Sequence, residues 1–427
     1  MKRTTKTWLL LLSASCFFVV SCSKLDFIKH DTDKLSNDII IQWNLVALQA
    51  EGGVTYGNPL VASHTNAMVH LAMHDALNAI HPHYEQYAYR TTEKFFADPI
   101  SAAATAAYTV LLGNYPESKT MLDSALQASL WTIPNGILKE HGMHVGREAG
   151  NAMLALRAGD GAFDNPVSFI PVSTVPGVYN VVPPFDFIFG FAWRTMKLFS
   201  LQSHDQFRPI PPPALSSDLY ARDLNEIKSV GSLNSTTRTA DESAYAKWWY
   251  ELTEIGWNRV ARIKAKDEQT GLYKTARLFA HLNMAVADSY TASFDTKYFY
   301  NFWRPYTAIR AAGTDGNNET EADPNWLPAE PTPPVPDYPS THSVNANAAA
   351  TVLTHLYGNH SGFSMTSSTG VPPNSIRSFS SFLQAADENA DSRVKAGIHF
   401  RFATVAGQEQ GNKIGEWTVK NHLKRVK

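Results

Sequence analysis

Three short groups of residues in the C-terminal part of the chain have side chains that could bind a small oxyanion. They are Lys297-x6-Arg304-Pro305, Tyr338-Pro339-Ser340-Thr341-His342-Ser343 and Ser392-Arg393-x5-His399. Together they offer three cations, a hydroxyl and two imidazoles, and the second group lies where a helix should begin. Charged donors and the free backbone amides of a helix N-terminus both favour bound anions. The three groups therefore predict one site for a compact tetrahedral or trigonal oxyanion.

The first group pairs two cations on one predicted helix. Lys297 and Arg304 are seven residues apart, about 700° of helical rotation, so their side chains should lie nearly in line. Pro305 disfavours helical geometry at the preceding residue, and we therefore expect the helix to end at Arg304. The alternative is an ordinary solvated helix face, but five bulky aromatic residues between the two cations favour a buried region.

The second group lies at the junction between an extended segment and a helix. Residues 329–338 are rich in proline, and residues 343–356 are rich in alanine. Ser340 is therefore expected to cap the helix, with its hydroxyl and the first free N–H groups directed toward an anion. His342 would lie beside that anion. Taken alone, the group could be a helix N-cap without any ligand.

The third group requires a break between its cation and its imidazole. Arg393 and His399 are six residues apart, which on one unbroken helix would leave them about 120° out of line. Gly397 lies between them and can end the predicted helix at 378–394 before a last helix from about 400 to 422. A histidine at the start of a helix is less basic, so His399 should keep a neutral nitrogen available as a ligand or nucleophile.

The remainder of the chain predicts a mainly α fold of two four-helix-bundle-like halves. Further helices are expected at 39–50, 58–81, 101–112, 119–131, 136–159, 216–229, 243–253, 256–266 and 272–304. Residues 163–213 contain too many prolines for long helices and too many aromatics for a solvated linker, so they predict an extended crossover packed on the helices. No internal repeat and no alternating strand is visible. We assign residues 39–427 to one domain, with the site within about 272–427.

His70 and His74 have the i, i+4 spacing of two metal ligands on one helix face. No glutamate lies between them and no further ligand set is apparent, so buried, hydrogen-bonded histidines are the favoured interpretation. The bulk charge is also nearly balanced, with 37 basic and 39 acidic residues. There is thus no overall positive field for nucleic acid or an anionic membrane.

The N-terminus resembles a bacterial lipoprotein signal. A basic start is followed by an apolar stretch from Trp8 to Val20, too short to span a membrane, and then by Ser21 and Cys22. We expect residues 1–21 to be removed, Cys22 to carry a lipid, and residues 22–38 to form a tether. The protein would then be anchored in the cell envelope, on the periplasmic or the surface side. An ordinary secretory signal is the alternative.

The order Lys-x6-Arg-Pro, Pro-Ser-Gly-His and Ser-Arg-x5-His resembles that of the vanadium-dependent haloperoxidases and the type 2 phosphatidic acid phosphatases. Further stretches look like the bacterial haloperoxidases, which favours that branch. They are residues 72–80, 206–209, 300–310 and 397–402. In this chain Thr341 stands where the family pattern has glycine.

The resemblance implies vanadate as the cofactor, hydrogen peroxide, a halide and a small organic acceptor as reactants, and hypohalous acid as the product. It implies that His399 is the ligand of the vanadium, that His342 is the acid–base group, and that Lys297 also takes part in catalysis by drawing charge from the peroxide. Residues expected to bind the vanadate oxygens are Lys297, Arg304, Ser340, Thr341 and Arg393. The alternatives are an acid phosphatase with a phosphohistidine intermediate at His399 and a non-catalytic ligand-binding lipoprotein.

Overall fold

The computed structural model describes residues 35–55, 57–93 and 95–426, and the fold in these ranges is mainly α, as predicted. The helices are α1 Asp38–Ala50, α2 Pro59–Ile80, α3 Pro99–Asn114, α4 Lys119–Trp131, α5 Ile137–Arg157, α6 Asp218–Val230, α7 Ala240–Trp248, α8 Thr253–Asp267, α9 Leu272–Tyr300, α10 Pro305–Arg310, α11 Thr341–Tyr357, α12 Phe382–Lys395 and α13 Arg401–Asn421. Two short antiparallel pairs join β1 Val167–Ser168 to β2 Ile188–Phe189, and β3 Phe363–Thr366 to β4 Ile376–Phe379. Within these ranges, none of the helices has the length and apolar composition of a membrane span.

The predicted signal at residues 1–21 and most of the predicted tether lie outside the described residues. The last tether residues are described, and they belong to the fold. Asn37 is buried, and its side-chain amide donates to the carbonyl oxygens of Ala265 and Thr270 at 2.9 and 2.8 Å. The packed structure therefore begins a little before the predicted boundary at residue 38.

The helices form two bundles, as predicted. The two bundles are built on the same plan, a repeat that was not visible in the sequence. The bundles consist of α1–α5 and of α8, α9 and α11–α13. They meet at Asn44 of α1 and Asn258 of α8, whose side chains hydrogen-bond to each other at 2.9 Å. Each asparagine also contacts the following long helix of its own bundle, Asn44 at His70 and Asn258 at Asn283, both at 2.9 Å.

A stripe of three glycines holds the closest helix pair in each bundle. On α5, glycines 142, 146 and 150 face α3, and on α13, glycines 407, 411 and 415 face α11. A Cβ at Gly146 would lie 2.3 Å from the backbone oxygen of Ala102, and a Cβ at Gly411 would lie 2.2 Å from that of Val344. Only glycine permits this approach, so the stripe fixes how α11 lies against α13 and thereby where the N-terminus of α11 stands.

The crossover at 163–213 packs on the helices as predicted, with only short regular elements. The buried carboxylate of Asp288 on α9 anchors it by accepting the backbone N–H groups of residues 199–201 at 2.6–2.8 Å. On α2, Asp75 accepts the N–H groups of residues 87–89 in the same way. Equivalent aspartates thus fasten an extended segment to the long helix of each bundle.

Two local predictions were wrong. The helix carrying Lys297 ends at Tyr300, because Asn301 takes a left-handed conformation (φ 48°) and the next two residues are extended. Arg304 is instead the N-cap of α10, with Pro305 as its first residue. Residues 378–381 are also not helical, since β4 and a loop occupy them before α12 begins at Phe382.

Candidate oxyanion site between helix ends

The C-terminal bundle brings all three predicted groups together at the ends of five helices. Lys297 lies in the last turn of α9 and Arg393 in that of α12, while Arg304 and Ser340 cap the starts of α10 and α11. His399 directly precedes Phe400, the N-cap of α13. Helix ends carry the unpaired backbone groups and the partial charges of the helix, so their convergence creates a strongly polar centre inside an apolar bundle.

Lys297 is completely buried, and backbone carbonyl oxygens hold its ammonium group. Its Nζ donates to the carbonyl oxygens of Pro336 and Asp337 at 2.8 and 3.0 Å. Burial and the neighbouring Arg304 keep the pKa of Lys297 well below its usual value, and Asp337 acts in the opposite direction. The amine is therefore fixed in place, and its surroundings destabilise its protonated form.

Arg304 is held from two sides. Its Nε donates to the carbonyl oxygen of Val335 and its Nη1 to that of Ile398, both at 2.7 Å. The extended residues before it are secured by the crossover, because the N–H of Trp303 donates to the carbonyl oxygen of Gly177 at 2.9 Å. This replaces the predicted continuous helix as the means of placing Arg304.

Arg393 is buried without a full set of partners. Its Nη1 donates to the carbonyl oxygen of Trp249 at 2.8 Å, whereas Nε and Nη2 find no acceptor among the described residues. Burial lowers the pKa of Arg393 to about 10, so the guanidinium still carries its charge at neutral pH. A buried cation with free donors is costly unless an anion completes it.

Ser340 caps α11 as predicted, with its hydroxyl accepting the N–H of Ser343 at 3.5 Å. Thr341 is the first helical residue and does not have a positive φ, so its backbone does not require the glycine of the family pattern. Its hydroxyl pairs with that of Ser293 on α9 at 3.0 Å. Thr341 thus joins the start of α11 to the helix that carries Lys297, one turn before the lysine.

Both predicted histidines are in the cluster. His342 is the partly exposed member, and its Nε2 lies 3.3 Å from the carbonyl oxygen of Glu251. Burial, followed by Arg393, lowers the pKa of His342 well below its usual value. Burial, Arg304 and Lys297 do the same for His399, which is 4% exposed. Both rings are therefore neutral near pH 7, and His342 is the more exposed of the two.

Asp337, which the sequence analysis did not predict as a site residue, is also in the cluster. Its carboxylate is fully buried, with Oδ1 2.9 Å from Nδ1 of His399 and 3.7 Å from Nη1 of Arg304. Burial raises the pKa of Asp337 to about 7, and Arg304 and Lys297 oppose the shift. The available signal was an acidic residue inside an apolar, proline-rich segment directly before Tyr338-Pro339-Ser340.

His70 and His74 lie apart from this cluster and serve the N-terminal bundle. His70 is hydrogen-bonded to Asn44, and Nδ1 of His74 lies 3.3 Å from Asp75. Buried, hydrogen-bonded histidines were the favoured interpretation, which the structure confirms. Within the described ranges, no group of three histidine, cysteine, aspartate or glutamate residues could hold a metal ion by itself.

The cluster therefore fits an oxyanion better than a bare metal cation. Lys297 and Arg304 act on the carboxyl group of Asp337, and two donor nitrogens of the third basic side chain, Arg393, are free. Such donors are complementary to the oxygens of a phosphate-like group. The neutral ring of His399 adds a nitrogen that could bind the central atom of that group.

Comparisons with known proteins agree with this class of site. A family model described as the VCPO second helical-bundle domain matches residues 277–427. Vanadium chloroperoxidase from Curvularia inaequalis is 25% identical over 499 aligned positions, which cover 89% of this chain and 81% of that protein. The family model spans the complete set of predicted site residues.

Solved structures extend the likeness to the whole fold. The crystal structure of the first bacterial vanadium-dependent iodoperoxidase has a TM-score of 0.78 and 26% identity, covering 92% of this chain and 98% of that one. A holo-type bacterial vanadium-dependent chloroperoxidase has a TM-score of 0.68 at 16% identity, covering 86% and 93%. The protein is thus an all-α peroxidase-like enzyme with a buried oxyanion site. In sequence and fold it is similar to the vanadium-dependent haloperoxidases.

Proposed function

We propose that this protein oxidises iodide or bromide with hydrogen peroxide to hypohalous acid, using vanadate bound in the cationic cluster. One halide ion, one peroxide molecule and one proton give one hypohalous acid and one water. The observation that carries the proposal is the buried Arg393, whose two free donors require an anion. Iodide is the first choice because of the likeness to a bacterial iodoperoxidase.

Different residues of the cluster would bind different parts of vanadate. Lys297, Arg304 and Arg393 would neutralise its oxygens, and Ser340 and the backbone N–H of Thr341 would donate hydrogen bonds to them. Nε2 of His399 would bind the vanadium. Bound vanadate supplies a Lewis-acidic centre that activates hydrogen peroxide toward attack by a halide.

His342 is placed to move protons during the reaction. The carbonyl oxygen of Glu251 can only accept a hydrogen bond, so Nε2 of His342 carries the proton and Nδ1 is left as the base. Because its surroundings keep the ring neutral, it can take a proton from hydrogen peroxide and later return it to the product. Its partial exposure lets halide and a small organic acceptor approach the same point.

The main test is reconstitution of the purified protein with orthovanadate in phosphate-free buffer. Oxidation of iodide, bromide and chloride by hydrogen peroxide is measured alongside hydrolysis of a phosphomonoester. We expect vanadate-dependent oxidation of iodide, and of bromide more slowly, with inorganic phosphate competing during reconstitution. Phosphomonoester hydrolysis without halide oxidation would overturn the proposal in favour of a phosphatase.

Two variants locate the activity. His399→Ala should reduce vanadate-dependent oxidation at least about 100-fold, because it removes the ligand nitrogen. Its matched control is His360→Ala, an exposed histidine outside the cluster, which should retain wild-type activity. Full activity in His399→Ala would show that another group binds the vanadium.

Arg393→Met tests the observation that carries the proposal. Methionine keeps much of the side-chain volume but removes the charge and the free donors. We expect halide oxidation to fall about 100-fold to 1000-fold, as for loss of one electrostatic donor. In phosphate-free buffer the free energy of unfolding should fall much less than the activity does. The substitution removes a buried charge that lacks a full set of partners. A large loss of stability with normal activity would contradict this role.

We also propose that the protein is exported and anchored to the bacterial cell envelope by a lipid on Cys22. The basic, then apolar, then small residues before Cys22 support this. Cys22→Ser should release the protein from the membrane fraction without changing its activity. Membrane association that survives the substitution would contradict the anchor.

A further inference from the structure

Asp337 is the acidic residue of the cluster, and two hydrogen bonds hold its main chain in place. Its N–H donates to the carbonyl oxygen of Phe302 at 2.9 Å, and its own carbonyl oxygen accepts from Lys297 at 3.0 Å. The side chain is fully buried. A carboxylate held this firmly beside an anion site should weaken anion binding by repulsion, so its presence there calls for another role.

The contact of the Asp337 carboxyl group that indicates this role is with His399. Oδ1 of Asp337 lies 2.9 Å from Nδ1 of His399, compared with 3.7 Å from Nη1 of Arg304. Arg304 already directs Nε and Nη1 to backbone carbonyl oxygens, and Lys297 does the same with its ammonium group. The carboxylate is therefore closer to the imidazole than to either permanent cation.

The neighbours of His399 also decide which nitrogen carries its proton. Nη1 of Arg304 lies 3.0 Å from Nε2 and 3.3 Å from Nδ1, and a guanidinium can only donate. The nitrogen nearer to Arg304 must therefore be the acceptor. Oδ1 of Asp337 lies within hydrogen-bond distance of Nδ1. A proton on Nδ1 would let the ring donate to that oxygen and would leave the lone pair on Nε2.

We propose that Asp337 is a positioning residue that keeps the proton of His399 on Nδ1, so that Nε2 is free to bind the vanadium of vanadate. The inference rests on the proposed function and deepens it. A partner of this kind fixes both the tautomer and the ring orientation of a ligating histidine, and it raises the donor strength of the ligating nitrogen. Asp337 acts through His399 and does not itself contact the cofactor.

Two explanations of the carboxylate predict opposite results. If Asp337 only balances the charge of Arg304 and Lys297, then its removal should tighten the binding of every oxyanion. If it positions His399, its removal should weaken vanadate binding, which needs a bond from Nε2 to the central atom. Inorganic phosphate makes no such bond in its resting tetrahedral form, so its binding should not weaken.

The experiment compares wild-type protein with Asp337→Ala and Asp337→Asn. Dissociation constants for orthovanadate and for inorganic phosphate are measured separately by equilibrium dialysis in the absence of peroxide and halide. We expect Asp337→Ala to weaken vanadate binding about 10-fold to 100-fold, the usual effect of losing the partner of a ligating histidine. Asp337→Asn keeps an oxygen that can accept from Nδ1, so it should weaken vanadate binding less. Phosphate binding should be unchanged or tighter in both variants.

Three outcomes would overturn the positioning role. They are tighter binding of both anions, an equal loss for both anions, and vanadate binding unchanged in both variants. A wild-type protein that binds phosphate but not vanadate would instead overturn the proposed function. A further measurement does not depend on any anion. In ¹⁵N-histidine-labelled wild-type protein, the His399 signals, assigned through His399→Ala, should show a protonated Nδ1, and a protonated Nε2 would contradict the inference.

Discussion

The starts of α3 and α11 occupy the same place in the two bundles. They differ in the group that compensates the partial positive charge of the helix N-terminus. Each is crossed by the first glycine of a stripe, Gly142 at α3 and Gly407 at α11. Asp98 caps α3 with a carboxylate that accepts the N–H of Ser101 at 2.7 Å. Neutral Ser340 caps α11. In the first bundle the chain supplies its own anion, whereas in the second it leaves the positive helix end for an anion from outside.

The long central helices differ in a corresponding way. Helix α2 has 22 residues and α9 has 29, and the additional turns of α9 carry Lys297 into the site. The buried polar groups of α2 are three imidazole rings, two amides, two hydroxyls and one carboxylate, and they bind other groups of the fold. Two bundles with one packing plan thus differ in function through a helix cap, a helix extension and the basic residues placed around them.

The largest expected effect comes from giving α11 the cap of α3. Ser340→Asp would place a carboxylate where the oxyanion should bind, and like-charge contacts cost several kcal/mol. Vanadate affinity should therefore fall at least about 100-fold, which is about 2.7 kcal/mol. Equilibrium dialysis of the apo protein measures this loss. The matched change in the other bundle, Asp98→Ser, should leave the affinity unchanged, and an equal loss there would contradict the comparison.

A second substitution should affect stability and not activity. Asp75→Ala removes the acceptor of three backbone N–H groups at residues 87–89. Buried donors without partners are costly, so the free energy of unfolding should fall by about 3 kcal/mol. Urea unfolding measures the change, and Asp75→Asn, which keeps one acceptor oxygen, should lose less. A fall in kcat/KM of the folded protein would show that the N-terminal bundle also serves the reaction.

The third prediction concerns acid stability. Burial lowers the pKa of His70 to about 3, compared with about 6.5 in an unfolded chain. Between these values the unfolded chain takes up a proton that the folded protein does not. The free energy of unfolding should thus decrease as the pH falls from 6.5 toward 3, by up to about 1.4 kcal/mol per pH unit for this group.

The substitution His70→Asn tests that decrease. Asparagine is chosen because Asn283 occupies the matching position in the other bundle. Urea midpoints at pH 7, 6 and 5 should decline less steeply in the variant than in the wild type. Parallel declines would show that other groups, such as His281, whose pKa burial also lowers to about 3, dominate the acid response.

The smallest effect is expected at Thr341. Thr341→Gly restores the family pattern but removes the hydroxyl contact with Ser293 and adds backbone freedom at a helix start. We expect the free energy of unfolding to fall by about 1 kcal/mol, with halide oxidation within a few-fold of wild type. Ser293→Ala removes the same contact without the backbone change and should lose less stability. A large gain in activity with glycine would show that the threonine side chain obstructs the site.

The sequence predicted most helices and indicated that seven polar residues of the three groups lie together, because helix periodicity, caps and helix-breaking residues are local signals. Ser340 and Gly397 illustrate this, since Gly397 has the positive φ (80°) that the break before His399 requires. The role of single residues in catalysis remains a prediction.

What the sequence reading missed depends on contacts between distant segments. Arg304 was placed on the wrong element because the crossover, more than 100 residues away, pairs with the residues before it. Asp337 was overlooked because its proposed role depends on its contact with His399, which is distant in sequence. The repeat of the two bundles resides in glycine spacing and in buried pairs such as Asn44 with Asn258, where little of the surrounding sequence is shared.

The helical φ at Thr341 has a consequence for recognising related sequences. At Gly397 a side chain would be strained and would lie 2.2 Å from the backbone oxygen of Gly231, so that glycine is a structural requirement. At Thr341 no such requirement exists. A search pattern that demands glycine directly before the histidine equivalent to His342 would therefore reject chains that fold and cap α11 in the same way. A pattern built on the cations, the capping serine and the glycine before His399 would retain them.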